Sequence, residues 1–344
     1  EAGGVIGPLY GALVARPFGW EWIFWINVPL GLAIMAAMWK LAPAQPRRRV
    51  PVDYRGAVLL AMFLTLLTAA LSGQRTMGWY RFVIPMLAAS VVVLAIFIWV
   101  ERGREHPVLK LSLFRNRTFS AANIANLLEG VAMITALVQV PFYAYVTRGA
   151  TPIEGGLLII RMTVMIPLGA LAGGLLINRL SHRFTAAAGF AMAAAGLFLI
   201  SRWSGEESGA VLTRDLLITG FGFGFNSPAL AAAVIGSVPK LRLAASSAIH
   251  IVAKTTGMMV GLAALSGWGI YQFESMLELE ALPLLERQAS FAEQMARLRE
   301  IYEQKSLEAI LVVLNRFFLV AAIVCAVAII PSLLLKVRGE EGEL

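Results

Sequence analysis

One cysteine, three histidines and two aspartates in 344 residues leave little from which to build a reaction centre. The single Cys325 lies inside an apolar run, which excludes an intrachain disulfide and fits a small packing residue. There is no His-Glu-x-x-His and no Gly-x-Ser-x-Gly, so neither metal nor serine chemistry has its constellation. No metal or coenzyme is implied, and an intramembrane enzyme is the weakest of the functional readings. Charge is scarce as well. With 15% charged and 58% hydrophobic residues and a mean hydropathy of +0.74, the chain has too little polar surface to be solvated by water. A formal net charge of +8 would invite a nucleic acid, but the basic residues sit in short clusters between apolar runs and not along one face, which argues against that partner.

What the chain has is apolar length. A helix needs about 20 residues to cross a hydrocarbon core of roughly 30 Å. Runs of that size fall at 1–17, 22–41, 56–72, 81–100, 119–146, 155–178, 185–202, 211–238, 244–270 and 309–335. The fold expected is an all-α, polytopic transmembrane bundle with about ten spans covered. The first run has no basic leader and no small-residue cleavage site, so it reads as a span and not as a signal peptide. Alternate loops hold sixteen basic residues (Lys40, Arg47, Arg48, Arg49, Arg55; Arg102, Arg104, Lys110, Arg115, Arg117; Arg179, Arg183; Lys240, Arg242; Lys336, Arg338), against Arg16, Arg75, Arg81, Arg148, Arg202 and Arg214 on the other side. The richer loops, and the C-terminus with them, are therefore expected in the cytoplasm, and the protein as multi-pass in the inner or plasma membrane. Trp20, Trp22, Trp39, Trp79, Trp99, Trp203 and Trp268 sit at or just beyond span ends, where an amphipathic ring prefers the headgroup layer.

Two adjacent patterns stand near residue 1. Gly3-Gly4-Val5-Ile6-Gly7-Pro8-Leu9-Tyr10-Gly11 leaves a groove without side chains along Gly3, Gly4, Gly7 and Gly11 and a bend at Pro8, as a seam on a moving helix would need. Trp20-Glu21-Trp22-Ile23-Phe24-Trp25-Ile26-Asn27-Val28-Pro29-Leu30-Gly31 follows at once. The first pattern resembles the antiporter signature in the fifth span of drug/proton antiporters of the major facilitator superfamily. The second is similar to the sixth span of the fourteen-helix branch. Pro107-Val108-Leu109-Lys110-Leu111-Ser112-Leu113-Phe114-Arg115-Asn116-Arg117-Thr118-Phe119 resembles that family's connection into its C-terminal bundle. Asp53-Tyr54-Arg55-Gly56 is similar to the start of its seventh span, a place where Asp53 also suits an N-cap. Asn178-Arg179-Leu180-Ser181-His182-Arg183 echoes the family's two-basic loop without the usual Asp and Gly.

The resemblance implies a chain that begins mid-protein and lacks the first four spans, which would be its nearest partner. It implies that residues 1–41 are the last two helices of an N-terminal bundle, 42–118 a central linker with two extra spans, and 119–344 a six-helix C-terminal bundle. Inside that last part, 271–308 is expected as an outward loop. Phe291, Met295, Leu298 and Tyr302 recur in it at helical spacing, so its second half reads as an amphipathic helix, either a lid on the lipid surface or a solvated hairpin. Its eight Glu against four Arg or Lys fit an outward position.

Polar groups inside spans are costly and mark cavities or pairs. Asn123, Asn126, Glu129 and Met133 are spaced by three, three and four, which puts a carboxyl on one stripe with two amides. Arg161 lies in the next span. Asn226 stands between Gly220-x-Gly-x-Gly224 and Pro228, where no βαβ context supports a dinucleotide site and glycines are expected to serve packing. His250, Lys254, Gly257 and Gly261 share a helical face, and Lys254-Thr255-Thr256-Gly257 resembles an Arg-Gln-x-Gly of the thirteenth span. Glu129, Arg161, His250 and Lys254 are the candidates for proton coupling. Asn123, Asn126, Met133 and Asn226 are the candidates for a substrate cavity. Glu129 is either a cavity carboxyl that loads protons or a fixed strut to Arg161 or Lys254. The resemblance implies alternating-access exchange of protons for amphipathic or cationic small molecules across the bilayer, energised by the proton gradient alone. The alternative is a sensing or scaffold protein that kept the fold.

Overall fold

A computed structural model of the chain describes residues 7, 10, 11, 13–15, 17–41, 53–72, 79–104, 109–239, 242–278 and 291–336. Nine of the ten apolar runs form helix there, and the run 1–17 lies largely outside the described residues. The helices are α1 (Glu21–Leu41), α2 (Tyr54–Ser72), α3 (Ile84–Arg102), α4 (Arg117–Arg148), α5 (Pro152–Thr163), α6 (Met165–Ile200), α7 (Gly209–Gly236), α8 (Leu243–Glu278) and α9 (Phe291–Leu333). A π-helical turn, Trp79–Val83, leads into α3, and a 3-10 turn, Leu111–Arg115, leads into α4. No strand occurs among the described residues, and eight stretches are long and apolar enough to cross a membrane. The architecture is an all-α, polytopic helical bundle.

Local chemistry sets several boundaries. Asn116 caps α4 by accepting from the Thr118 and Phe119 N–H groups, and Gly149 ends it at a φ of 58°. Asp53 Oδ1 accepts from Gly56 N at 3.0 Å at the start of α2, as an N-cap should. Thr151 and Glu154 form a capping box on α5.

The run 155–178 is not one helix. α5 stops at Thr163 and α6 starts at Met165; Pro167 has no N–H to give the Thr163 carbonyl, and its ring crowds that carbonyl. α6 itself reverses at Ser181, whose φ of 62° and ψ of 159° fall where glycine is nearly alone. Gly169 and Gly173 meet Phe221 and Phe225 of α7 in parallel order, whereas Gly189 and Gly196 meet Asn226 and Thr219 in antiparallel order. The 49-residue stretch Pro152–Ile200 is therefore two crossings joined by a one-residue hinge.

α7 lies between these two crossings, and its alternate glycines serve both. A β-carbon on Gly220 or Gly224 would lie 1.9 Å from the carbonyl oxygen of Met162 or Ile166, and one on Gly222 would lie 2.3 Å from Ala193 N. Positions 220 and 224 share a helix face and 222 points away from it, so Gly220-x-Gly-x-Gly224 is a two-sided packing surface.

Asn116 Nδ2 donates to Ser237 O and Thr118 Oγ1 to Lys336 O, which gathers the start of α4 and the ends of α7 and α9 at one end of the bundle. That end carries Arg115, Arg117, Arg179, Arg183 and Lys336 and is called the basic end below. At the other end the expected loop 271–308 is largely helix, because α8 continues to Glu278 and α9 already begins at Phe291. The amphipathic stretch is the outer part of α9, with Met295 and Tyr302 more than half exposed. At 36 and 43 residues these helices are about 54 and 65 Å long, against a hydrocarbon core of roughly 30 Å. α1 buries none of its residues.

Candidate functional site

α4 and α8 approach closely because their facing positions are glycines. A β-carbon on Gly130 would lie 2.2 Å from Lys254 O, one on Gly257 2.0 Å from Leu127 O, and one on Gly261 2.9 Å from the Val131 Cα. This contact brings three of the four coupling candidates together. Lys254 Nζ donates to Glu129 Oε1 at 2.9 Å, with the Glu129 side chain 1% and the Lys254 side chain 21% exposed. One turn nearer the basic end, Asn126 Nδ2 donates to His250 O at 2.5 Å and lies 3.2 Å from His250 Nδ1. A charge-assisted bond with one partner buried is strong once made, but withdrawing ions from water costs several kcal/mol, so such a pair is weak proof of a stabilising role.

The remaining candidates separate. Asn123 turns its amide onto its own helix, donating to Phe119 O at 2.8 Å, and Met133 packs in the main core. Asn226 is fully buried against Gly189 on α6, and neither amide atom has a hydrogen-bond partner among the described residues. Arg161 reaches α7, where it donates to Thr213 Oγ1 at 2.7 Å and Gly209 O at 3.3 Å, so of the two cations considered for Glu129 the structure gives Lys254. Of the seam, Gly3, Gly4 and Pro8 lie outside the described residues. Gly7 and Gly11 are helical, and among the described residues nothing lies within 4 Å of where their β-carbons would be.

Sequence reasoning missed a polar knot at the end of the bundle opposite the basic end. Trp203, expected in the headgroup layer, is 1% exposed; its Nε1 donates to Asp215 Oδ2 at 3.0 Å and its carbonyl accepts from Asn315 Nδ2 at 2.9 Å. Its ring lies 4.9 Å from that of Tyr143, whose hydroxyl donates to Glu207 Oε2 at 2.5 Å, and the Ser204 N–H and hydroxyl also donate to Glu207. Burial alone would raise the Glu207 pKa, but the hydrogen bonds from Tyr143 and Ser204 outweigh it and hold the carboxyl below its ordinary value. The knot ties α4, α7 and α9 to the α6–α7 connection. The signal was present, since Asp215 is an acid inside an apolar run and is as deeply buried as Glu129. A crevice of about 360 Å³ lies close by between α4, α8 and α9, walled by Phe142, Ile270, Phe273, Val313, Leu314 and Phe317, with Gln139 and Ser266 as its side-chain polar groups.

Comparison with known proteins agrees with this architecture. The family model described as Major Facilitator Superfamily matches residues 1–262. A triacylglyceride transporter of Mycolicibacterium hassiacum is 32% identical over all of this chain and 67% of its own length. One of Mycolicibacterium smegmatis is 32% identical over all of this chain and 64% of its own. A third, of Mycobacteroides abscessus, is 34% identical over 79% of this chain and 56% of its own. The chain thus spans about two thirds of the length of the first two. These relatives bear the name of triacylglyceride transporters and not of drug antiporters, so they support the superfamily read from the sequence and lend no support to its drug/proton branch. Eight apolar stretches among the described residues, a family model matched over most of the chain and these transporters as relatives establish that the chain is a multi-pass membrane transporter belonging to the Major Facilitator Superfamily.

Proposed function

We propose that the chain forms the moving bundle of a proton-driven carrier for a long-chain, apolar lipid of the triacylglyceride kind. The observation that carries this reading is the Glu129–Lys254 pair set in the glycine contact between α4 and α8. A proton arriving on Glu129 removes one charge of the pair and weakens the bond across a contact that has little side-chain interlock. Lys254, a fifth exposed, is the partner left carrying its charge while α4 and α8 part. Loss of the proton restores the pair and closes the contact. Such a two-state element is what alternating access needs. The names of the relatives support a lipid as substrate, as does the apolar crevice between α4, α8 and α9. The length of α8 and α9 adds to this, since it continues a helical surface beyond the bilayer. A cationic drug would require a carboxylate held ready for it, and Glu129 already faces Lys254. The basic end is the cytoplasmic one in this reading, by the excess of Lys and Arg in its loops.

The test is transfer of radiolabelled triacylglyceride out of proteoliposomes under an imposed pH gradient, with ethidium as the cationic comparison. Lipid transfer that collapses with the gradient is expected. Ethidium efflux without lipid transfer would contradict the reading.

A further inference from the structure

Where α3 ends and the 3-10 turn leads into α4, a cavity of about 610 Å³ opens at the basic end, lined by Glu101, Arg102, Arg104, Lys110, Ser112 and Arg115. Its size lies within the range of about 300–1,000 Å³ usual for ligand sites. Four cations face one carboxylate. That carboxylate, on Glu101, is 3% exposed and accepts from the Leu109 N–H at 3.4 Å, which fastens the turn over the end of α3. Arg104 lies 3.8 Å from Asp53 Oδ2 at the start of α2. Arg102, Lys110 and Arg115 have no ion pair with any described residue. Three cations without an ion pair to a described residue are thus gathered around one opening that a single carboxylate, Glu101, shares with them.

The surroundings identify the anion. Trp99, three residues before Arg102, is 77% exposed, and Phe114, next to Arg115, is 38% exposed. An exposed indole and phenyl beside a ring of cations match the boundary between acyl chains and headgroups, where aromatic rings collect and basic side chains meet lipid phosphate. We propose that this cavity binds the phosphate of an anionic phospholipid headgroup. Guanidinium forks of Arg102 and Arg115 suit two phosphate oxygens each, Lys110 adds a point charge, and the Ser112 hydroxyl is a further donor. The glycerol and acyl chains lie outward against Trp99 and Phe114, contacts that free phosphate cannot use. A lipid seated there bridges the end of α3 and the entrance to α4, and so couples the α2–α3 pair to the main bundle. The membrane setting follows from the family and the apolar helices, and the orientation proposed above decides only which leaflet supplies the lipid.

The test uses the purified chain in micelles containing phosphatidylcholine, with melting temperature as readout. Added phosphatidylglycerol should raise it, and high salt should reduce the rise. Lys110→Gln/Arg115→Gln should keep the melting temperature in phosphatidylcholine and lose most of the rise. Arg179→Gln/Arg183→Gln, which removes equal charge at the same end, should keep the rise. Should the first variant not fold, Arg102→Gln serves in its place with the same expected loss. A rise unchanged in the cavity variants, or lost equally in both double variants, overturns the site. Inorganic phosphate or glycerol phosphate reproducing the whole rise overturns the lipid assignment.

Discussion

Two glycine-thinned contacts in this bundle do opposite things. α7 meets α6 and the end of α5 through Gly169, Gly173, Gly189, Gly196, Gly220, Gly222 and Gly224, the broadest helix contact among the described residues. α8 meets α4 through Gly130, Gly257 and Gly261 and carries Glu129–Lys254 in the same turn. In lipid no hydrophobic force drives helices together, so both contacts rely on close backbone packing. The first gains only from staying closed. The second also holds the Glu129–Lys254 pair, and in the function proposed above a proton on Glu129 gives it two arrangements where the first has one. In that proposal a scaffold and a moving joint differ not in the glycine pattern, which both share, but in a titratable side chain placed on it.

The largest effect expected from this contrast is in the scaffold. Gly224→Leu sets a side chain against the Ile166 carbonyl, where even a β-carbon would lie 1.9 Å away. Backbone on both sides leaves no room to relax, and the cost should exceed the ~1–3 kcal/mol usual for overpacking. Loss of monodisperse protein on size exclusion is expected, while Gly31→Leu, with nothing within 4 Å, should behave as wild type. A stable Gly224→Leu would show that α6 and α7 are not rigidly joined.

A smaller effect is expected at the polar knot, which closes the α7 side against α4 and α9. Asp215→Asn replaces a charged acceptor of the Trp203 N–H by a neutral one, at a cost of about 1–3 kcal/mol read as a lower melting temperature. An unchanged melting temperature would remove the knot from the scaffold.

The smallest concerns Glu207 and acid. Its folded pKa lies below its unfolded one, so its contribution is complete above the ordinary carboxylate value of about 4.3 and fades as pH falls through the folded value. Wild type minus Glu207→Gln, compared by melting temperature across that range, should shrink with acidification. A difference independent of pH would mean that the carboxylate charge plays no part.

Sequence and structure agree where one physical rule decides. Run length located nine helices, and the spacing of Asn126 and Glu129 on α4 with His250 and Lys254 on α8 put on facing stripes the residues that meet. Three things were not legible. The break before Pro167 hides inside continuous apolar composition, where hydropathy does not register a backbone turn, whereas the basic loop read at 178–183 does fall on the reversal at Ser181. Trp203 looked like an interfacial ring because its burial depends on Asp215, Asn315 and Tyr143, which are distant in sequence. Arg161 was as good a partner for Glu129 as Lys254 on charge alone, and only the glycine contact, which places α8 and not α5 against that turn of α4, separates them.

The central claim is that Glu129 carries a proton and is not merely a strut. It is tested most directly by measuring melting temperature and gradient-driven lipid transfer for Glu129→Gln and for Glu129→Gln/Lys254→Met side by side. The single variant leaves Lys254 without its carboxylate; breaking a buried pair costs about 3–5 kcal/mol, less here because a fifth of the lysine is exposed, so its melting temperature should fall. The double variant removes the stranded cation and should recover it. The account predicts that gradient-driven transfer is lost in both. Recovery of transfer together with stability in the double variant would contradict it and leave Glu129 as a strut.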